Sequence, residues 1–439
     1  MFATVATHGQ LQAQSPPARS AAELIVPQDT LRITVQQARL LALQNNPELS
    51  AARVDIDVAR GDLRQAGLLR FNPSAALLGS GASGARPELS VGQELEIAGQ
   101  RGVRRAVASA GVSRATFAVA DVARTTLLDV ERGFYAAVAA DRRAELAHEI
   151  LGLNERLAQA AARQLREGEI SKLDYNLSVV ELGRARARSF VARREQQQTM
   201  IELRRLVGVP VTTPVVAVFD SSAHRHAVVD SAGVQRIDLT AFGLGGDTTV
   251  EQLIARALIR RPDLSEREAA VRQADAGVAL ARREALPNLV ARVLSQQNDG
   301  GTGRALRPGV GLSIPLFNRN QGEVDARRAI ARRTTLERAA TVARVRAEDE
   351  TAMRAYQASA GEIEVLENTV LGPARENRRL LEAAYRERKV GLPVLLLIRN
   401  QVIDAEQEYW SAWLAEREAA AALGAAIGAR TADDTTQSR

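Results

Sequence analysis

The chain has 439 residues, 46% hydrophobic, 25% charged and only 3% aromatic, which leaves room for two or three ordinary domains but speaks for long helices over a thick multilayered core. It contains no cysteine, which excludes disulfides, thiolate metal sites, a cysteine nucleophile and a lipidated N-terminal cysteine, and it has no run of about 18 apolar residues to make a membrane-spanning helix. The net charge of +6 is almost wholly arginine, interleaved with 52 acidic residues; without stacking aromatics or a nucleic-acid motif, solvated helix faces account for it.

Residues 1–30 read as an N-terminal extension or a signal remnant. The start lacks basic residues and an apolar stretch, yet Leu11-Gln-Ala-Gln14 resembles the small-residue end of a signal peptide. From residue 31 the chain is two copies of one unit. Thr34 to Ser50 lies without gaps over Thr249 to Ser265, with eight of seventeen positions identical at an offset of 215 residues. Pro73 with Pro287, Val91-Gly92 with Val310-Gly311, and Gly168 with Gly391 keep the same order. So long a period marks a duplicated half, not a solenoid.

The first repeat is predicted over 31–209. It opens with a helix of about 35 residues broken by Pro47 and ended at Asn72-Pro73. Two strands follow, and in the second Leu89, Val91, Leu95 and Ile97 alternate with Ser90, Gly92, Glu94 and Glu96, the period of a strand with one apolar and one polar face. The glycine-rich stretch 79–84 joins them. A helix over 100–166 is expected to be about 100 Å long at 1.5 Å per residue. Leu146, Ile150, Leu153, Leu157, Ala161 and Leu165 make a one-sided stripe along it, as in a coiled coil. After a turn at Gly168, about 35 helical residues return. Residues 210–248 link the halves.

The second repeat, 249–428, reads the same way: a break at Pro262, an end at Leu286-Pro287, and a strand in which Val310, Leu312, Ile314 and Leu316 oppose Gly309, Gly311 and Ser313. A helical stretch over 322–388, interrupted near Pro373, turns at Gly391. Both turn glycines suit left-handed helix C-caps. Residues 429–439 read as a disordered tail. Four strands per chain leave open edges that lipid does not tolerate. The sheet must therefore close across subunits: eight strands from two chains leave a filled interior, and twelve from three leave a pore.

On these paired openings, the Asn72-Pro73 and Leu286-Pro287-Asn288 ends, the segment Val310 to Phe317 and the two helical turns, the chain resembles the TolC family of outer-membrane efflux proteins over residues 31–428. Gly99-Gln-Arg-Gly102 and Phe317-Asn-Arg-Asn-Gln-Gly322 resemble its heavy-metal, CzcC-like cobalt-zinc-cadmium branch. The resemblance implies a fold mainly of α-helix with a β part: a homotrimer whose 12-stranded outer-membrane barrel continues into a coiled-coil helical tunnel in the periplasm. It implies a periplasmic adaptor (membrane fusion protein) and an inner-membrane pump of the RND type as partners. The chain would be a passive exit duct for metal cations or drugs. A type I secretion duct for polypeptides and a soluble coiled-coil scaffold are the alternatives.

The resemblance also assigns residues. The turns with Gly168, Ser171, Gly391 and Leu392 would form the rim that meets the adaptor. Asp174 and Arg388 would make a closing ion pair across the repeat, and Leu397 and Asn400 take the positions where some members carry a ring of acids. An apolar constriction with Leu397 at its narrowest is then expected in place of an acidic one. No catalytic constellation and no phosphate loop is present, so neither enzyme activity nor a cofactor is expected. His224-Arg-His226 reads as a surface pair in the linker, not a metal site.

Overall fold

The computed structural model describes residues 30–78, 88–219, 228–229, 235–236, 250–297, 303–312, 315–387 and 389–428. The first half runs β1 (Leu31–Ile33), α1 (Val35–Asn45), α2 (Pro47–Ala66), β2 (Ser74–Leu78), β3 (Glu88–Leu95), α3 (Gln100–Arg166) and α4 (Lys172–Val207). Three short strands follow in the linker: β4 (Val215–Ala217), β5 (Val228–Val229) and β6 (Gln235–Arg236). The second half runs α5 (Val250–Arg260), α6 (Pro262–Glu284), β7 (Leu289–Gln297), β8 (Arg304–Leu312), α7 (Gln321–Val365), a π-helical turn (Leu366–Leu371), α8 (Gly372–Arg386) and α9 (Leu392–Ala426). The glycine-rich stretch 79–84, the linker histidines and the tail lie outside the described residues.

Each joint follows from local chemistry, and the two halves solve it alike. Asn46 and Arg261 both leave the helical region, at ψ 124° and 123°, one residue before a proline that starts the next helix. Proline there fixes a helical φ where its missing N–H is not needed. At the strand-to-helix junctions Gly99 (φ 77°) and Asn320 (φ 59°) are left-handed. In both, the glutamine that follows folds its side chain back. Gln100 Oε1 accepts from the Ala98 N–H at 2.9 Å, and Gln321 Oε1 from the Arg319 N–H at 2.8 Å. The long helices thus leave the sheet by one backbone path, used twice.

The second long helix is not continuous. Pro373 has no N–H for the carbonyl of Thr369 four residues back, and its ring crowds that carbonyl. The chain widens into the π turn just before it, and α8 starts with Pro373 in its first turn. The expected interruption is therefore an identifiable turn.

The principal core forms where α1, α3, α4 and α9 meet. Phe134, Tyr135, Leu203, Val207 and Trp413 are buried there with the parallel pair β1–β4, which joins Leu31 to Val215 and Ile33 to Ala217. Much of the small aromatic complement collects here: Tyr135, Phe219, Trp410 and Trp413 pack edge to face at 5.1–6.3 Å. Arg417 lies 5.5 Å from the Phe219 ring centre and 5.6 Å from that of Trp413. Among the described residues no helix is long and apolar enough to cross a membrane.

Gly208 tests the packing at the first joint. It ends α4 at φ 71°, and a Cβ on it would run into the backbone carbonyl of Asn45. The same contact is held by Asn46 Nδ2 donating to the Leu206 carbonyl at 3.0 Å. Gly208→Ala combines a left-handed backbone with an immovable neighbour and should cost about 2–3 kcal/mol, read as a lowered urea midpoint at unchanged slope.

Candidate functional site

β2, β3, β7 and β8 form one antiparallel sheet in that order, so the two hairpins of the duplicated halves pair through β3 and β7. The register extends the alternation seen in single strands to the whole sheet. Leu77, Leu89, Ser295 and Leu306 form one row, and Ala75, Val91, Val293 and Pro308 the next. Leu89, Ala291 and Val310 thus share a face with Leu95 and Leu312, and much of that apolar face is exposed, up to 78% at Val310. The opposite face carries Glu88, Ser90, Gly92, Glu94, Arg292, Arg307, Gly309 and Gly311 in the same register. Gln93 falls on the apolar side, where its amide donates to the carbonyls of Phe71 and Glu94 at 2.8 Å. Ile314 lies outside the described residues.

Where sheet meets helix the polar groups are bound to one another. Asn288 donates to Glu94 Oε1 at 2.7 Å and accepts from Gln100 Nε2 at 3.1 Å. Arg104 grips both oxygens of Glu96 at 2.6 and 3.0 Å, a bidentate pair with Glu96 buried. Burial lowers the Arg104 guanidinium, but the bond to Glu96 outweighs it and the net shift is upward.

At the far end of the helices lie the two turns. The Gly168 N–H bonds the Leu165 carbonyl and the Glu169 N–H that of Gln164, with Gly168 left-handed at φ 75°; this is a Schellman closure. In the second turn the corresponding bond runs from Lys389 to Ala384 at 2.8 Å. Glu169 therefore matches Lys389, and Gly391 matches Ser171, not Gly168. Gly391 is accordingly no left-handed C-cap: it starts α9 in extended conformation, φ −82° and ψ 163°. The two glycines share a neighbourhood but not a job.

Ser171 caps α4 by accepting from the Asp174 N–H at 3.1 Å, and its own hydroxyl donates to Asp174 Oδ2 at 2.8 Å. Asp174 is thus engaged by the cap of its own helix. Arg388 lies outside the described residues. Leu392 is only 5% exposed, packed with Ala161, Leu381, Leu395 and Leu396; its side chain joins the two hairpin tips to each other and is not on the rim. Ile170 and Val390 flank the same cluster from the two turns. Leu397 points outward at 63% exposure, with Asn400 half-buried one turn on.

The seam between the long helices differs from the expected leucine stripe. Ala144, Ala147, Ile150, Asn154, Ala158 and Ala161 are the buried positions of α3 there, while Leu146, Leu153, Leu157 and Leu165 are half-buried at its margins. Small residues bring the backbones close, and leucines close the sides. Arg399 is buried in this seam, 3.4 Å from Asn154 Oδ1 and from the Ile150 carbonyl. Burial lowers its guanidinium.

A second charged group sits at the α5–α6 joint. Arg261, 2% exposed, donates to both oxygens of Asp263 at 3.0 and 2.8 Å and to Glu348 at 2.7 Å. Those bonds raise the arginine and lower Asp263 against the opposing effect of burial on each. Asp349 lies next to this group, 2% exposed, and neither carboxylate oxygen accepts a hydrogen bond. Among the described residues no group of histidines and carboxylates is placed to hold a metal ion.

Comparison with known proteins agrees with this geometry. The family model described as outer membrane efflux protein matches residues 39–209 and 253–429, one stretch in each repeat. The chain is 26% identical to Protein CyaE of Bordetella pertussis over 351 residues, 73% of this chain and 69% of that one. It is 23% identical to the cobalt-zinc-cadmium resistance protein CzcC of Cupriavidus metallidurans over 295 residues, 66% and 65% of the two chains. In fold it matches the crystal structure of the Campylobacter jejuni CmeC outer membrane channel with a TM-score of 0.75, at 14% identity, covering 92% of this chain and 88% of that one.

Asp349 yields a pH test of the joint. Burial pushes its carboxyl up to about 7, against the pull of Arg261 and Arg124, because Arg261 is already committed to Asp263 and Glu348. A native state that binds this proton more tightly than the unfolded chain loses stability as pH rises from about 4 to about 7. Asp349→Asn should therefore melt higher than wild type at pH 8 and within a degree or so of it at pH 4. A wild-type advantage at pH 8 would mean the carboxylate is stabilised as an anion.

Proposed function

Because this chain belongs to the outer membrane efflux protein family, we propose that it is the outer-membrane exit duct of a tripartite efflux system. The observation that carries this reading is the four-stranded sheet: one face apolar and exposed, the other polar, and, among the described residues, no strand paired to the outer edge of β2 or β8. Three copies joined edge to edge make a closed twelve-stranded barrel, wide enough for a lumen, whereas eight strands from two copies leave an interior filled by side chains. The apolar face then meets lipid and the polar face lines the channel. The helices continue from the sheet as a periplasmic tunnel.

In this reading the turns form the end that meets a periplasmic adaptor, through Gly168, Ser171 and Gly391, with an RND-type inner-membrane pump supplying the energy. The duct itself is passive and carries metal cations or drugs. The similarity to a cobalt-zinc-cadmium resistance protein supports the metal class. The gate set is Asp174 with Arg388 as an ion pair, and Leu397 with Asn400 lining a constriction. Leu397 supports this by standing exposed in a run where Leu395 and Leu396 are buried.

The reading is tested by fractionation: the protein should come from the outer membrane only with detergent, as a trimer that dissociates on boiling. A monomer released without detergent sinks it. Val91→Arg, placing a charge on the lipid face, should cost the barrel about 2–4 kcal/mol, whereas Ser90→Arg on the lumen face should cost little. For the gate, Leu397→Ser and Asp174→Ala should each raise single-channel conductance. Ser171→Ala, which removes only the cap and about 1 kcal/mol of helix stability, should not. Equal behaviour of Asp174→Ala and Ser171→Ala leaves Asp174 a capping residue.

A further inference from the structure

The polar face of the sheet is not uniformly polar. One row across it reads Ser74, Gly92, Arg292, Gly309, and the next reads Ala76, Ser90, Leu294, Arg307. Arg292 thus stands between two glycines, and a Cβ on Gly92 would sit 3.9 Å from its Nε, so the guanidinium lies over ground that the missing side chains leave clear. Both arginines are exposed. Two arginines at the base of the sheet are committed, Arg104 to Glu96 at 2.6 Å and Arg70 to Glu284 at 2.7 Å. Arg292 and Arg307 have no ion pair among the described residues. The carboxylates of this face lie at its ends: Glu94 one row below Arg292, bound by Asn288, and Glu88 at the far end of β3.

From this, and resting on the three-copy closure proposed above, we infer that Arg292 and Arg307 form a cationic belt in the lumen that selects for anionic groups in the cargo. Two rows about 7 Å apart along the strands, each repeated three times, put six unpaired guanidiniums on the wall. Such a ring attracts anions and raises the barrier to bare cations, and guanidinium binds phosphate and carboxylate in bidentate fashion. Of the two cargo classes, the belt favours organic anions, and metals that travel as anionic complexes over free divalent ions. Its reach is short, about 8 Å at physiological salt, so it acts on what passes along the wall.

The test is the reversal potential of the purified trimer in a planar bilayer under a potassium chloride gradient. The doubly substituted Arg292→Gln, Arg307→Gln protein should lose chloride-over-potassium permeability by roughly two-fold or more relative to wild type. Arg304→Gln, on the other face at the end of β8, should change nothing. Millimolar inorganic tripolyphosphate should reduce wild-type current and spare the double variant. A reversal potential unmoved by the double substitution, or a wild-type current indifferent to tripolyphosphate, overturns the belt while leaving the channel in place. Wild-type protein that forms no channel overturns the closure, and the belt with it.

Discussion

Unpaired backbone is the constraint on which the rest of this structure depends. Among the described residues the sheet is four strands wide, and its outer strands β2 and β8 each have one edge with no strand paired to it. In water the N–H and C=O groups of such an edge are solvated. In hydrocarbon each one costs several kcal/mol, so two open edges would outweigh the 5–15 kcal/mol that holds a typical domain together. A sheet with an exposed face of leucine and valine is poorly suited to water as well. Closure by further copies of the same chain satisfies both demands at once. In the proposed assembly the sheet therefore sets the closure, and the helices that leave it follow.

Duplication meets this constraint economically, since β3 and β7, one from each half, pair at the middle of the sheet. What the halves share is backbone path more than residue identity. Before the proline, Asn46 reaches across to the Leu206 carbonyl, whereas Arg261 binds carboxylates. Before the long helix, Gly99 and Asn320 adopt the same left-handed turn, which glycine and asparagine tolerate for different reasons. At the tips, a serine with a full capping box faces a glycine with none. The second half keeps each bend and changes the chemistry that makes it.

That difference explains what could be read in advance. The strands were legible because alternation over eight or nine residues is a strong local signal, and Leu89, Val91 and Val310 fall on the predicted face. The breaks at Pro47 and Pro262 were legible because proline acts locally. The equivalence of the turns was not, since Gly168 and Gly391 look alike in sequence while only hydrogen bonding reveals the shift of three residues. The β1–β4 pair was invisible: three residues per strand carry no period, and the partners are 184 residues apart. Asp349 was invisible too, because an acid in a helical pattern reads as a solvated face. Its burial depends on α5 and α6 packing against α7.

The two helical hairpins show how far one substitution pattern separates equal lengths of chain. α3 runs 67 residues without a break, and across it to α4 the ties are tight: Arg143 to Glu195 at 2.8 Å and Gln196 to Asp141 at 2.7 Å. Its counterpart is divided by the π turn that Pro373 requires. Next to that turn Tyr409 on α9 donates to Glu367 at 3.0 Å, its hydroxyl pushed up to about 12 by burial and by the carboxylate it serves. Beyond it Arg375 and Arg378 share Glu406 at 3.7 and 4.0 Å, longer than a charge-assisted hydrogen bond. The first hairpin is thus an unbroken rod tied to its return helix at the level of Asp141 and Arg143. The second is two rods joined at a widened turn, with the Tyr409–Glu367 bond beside the joint.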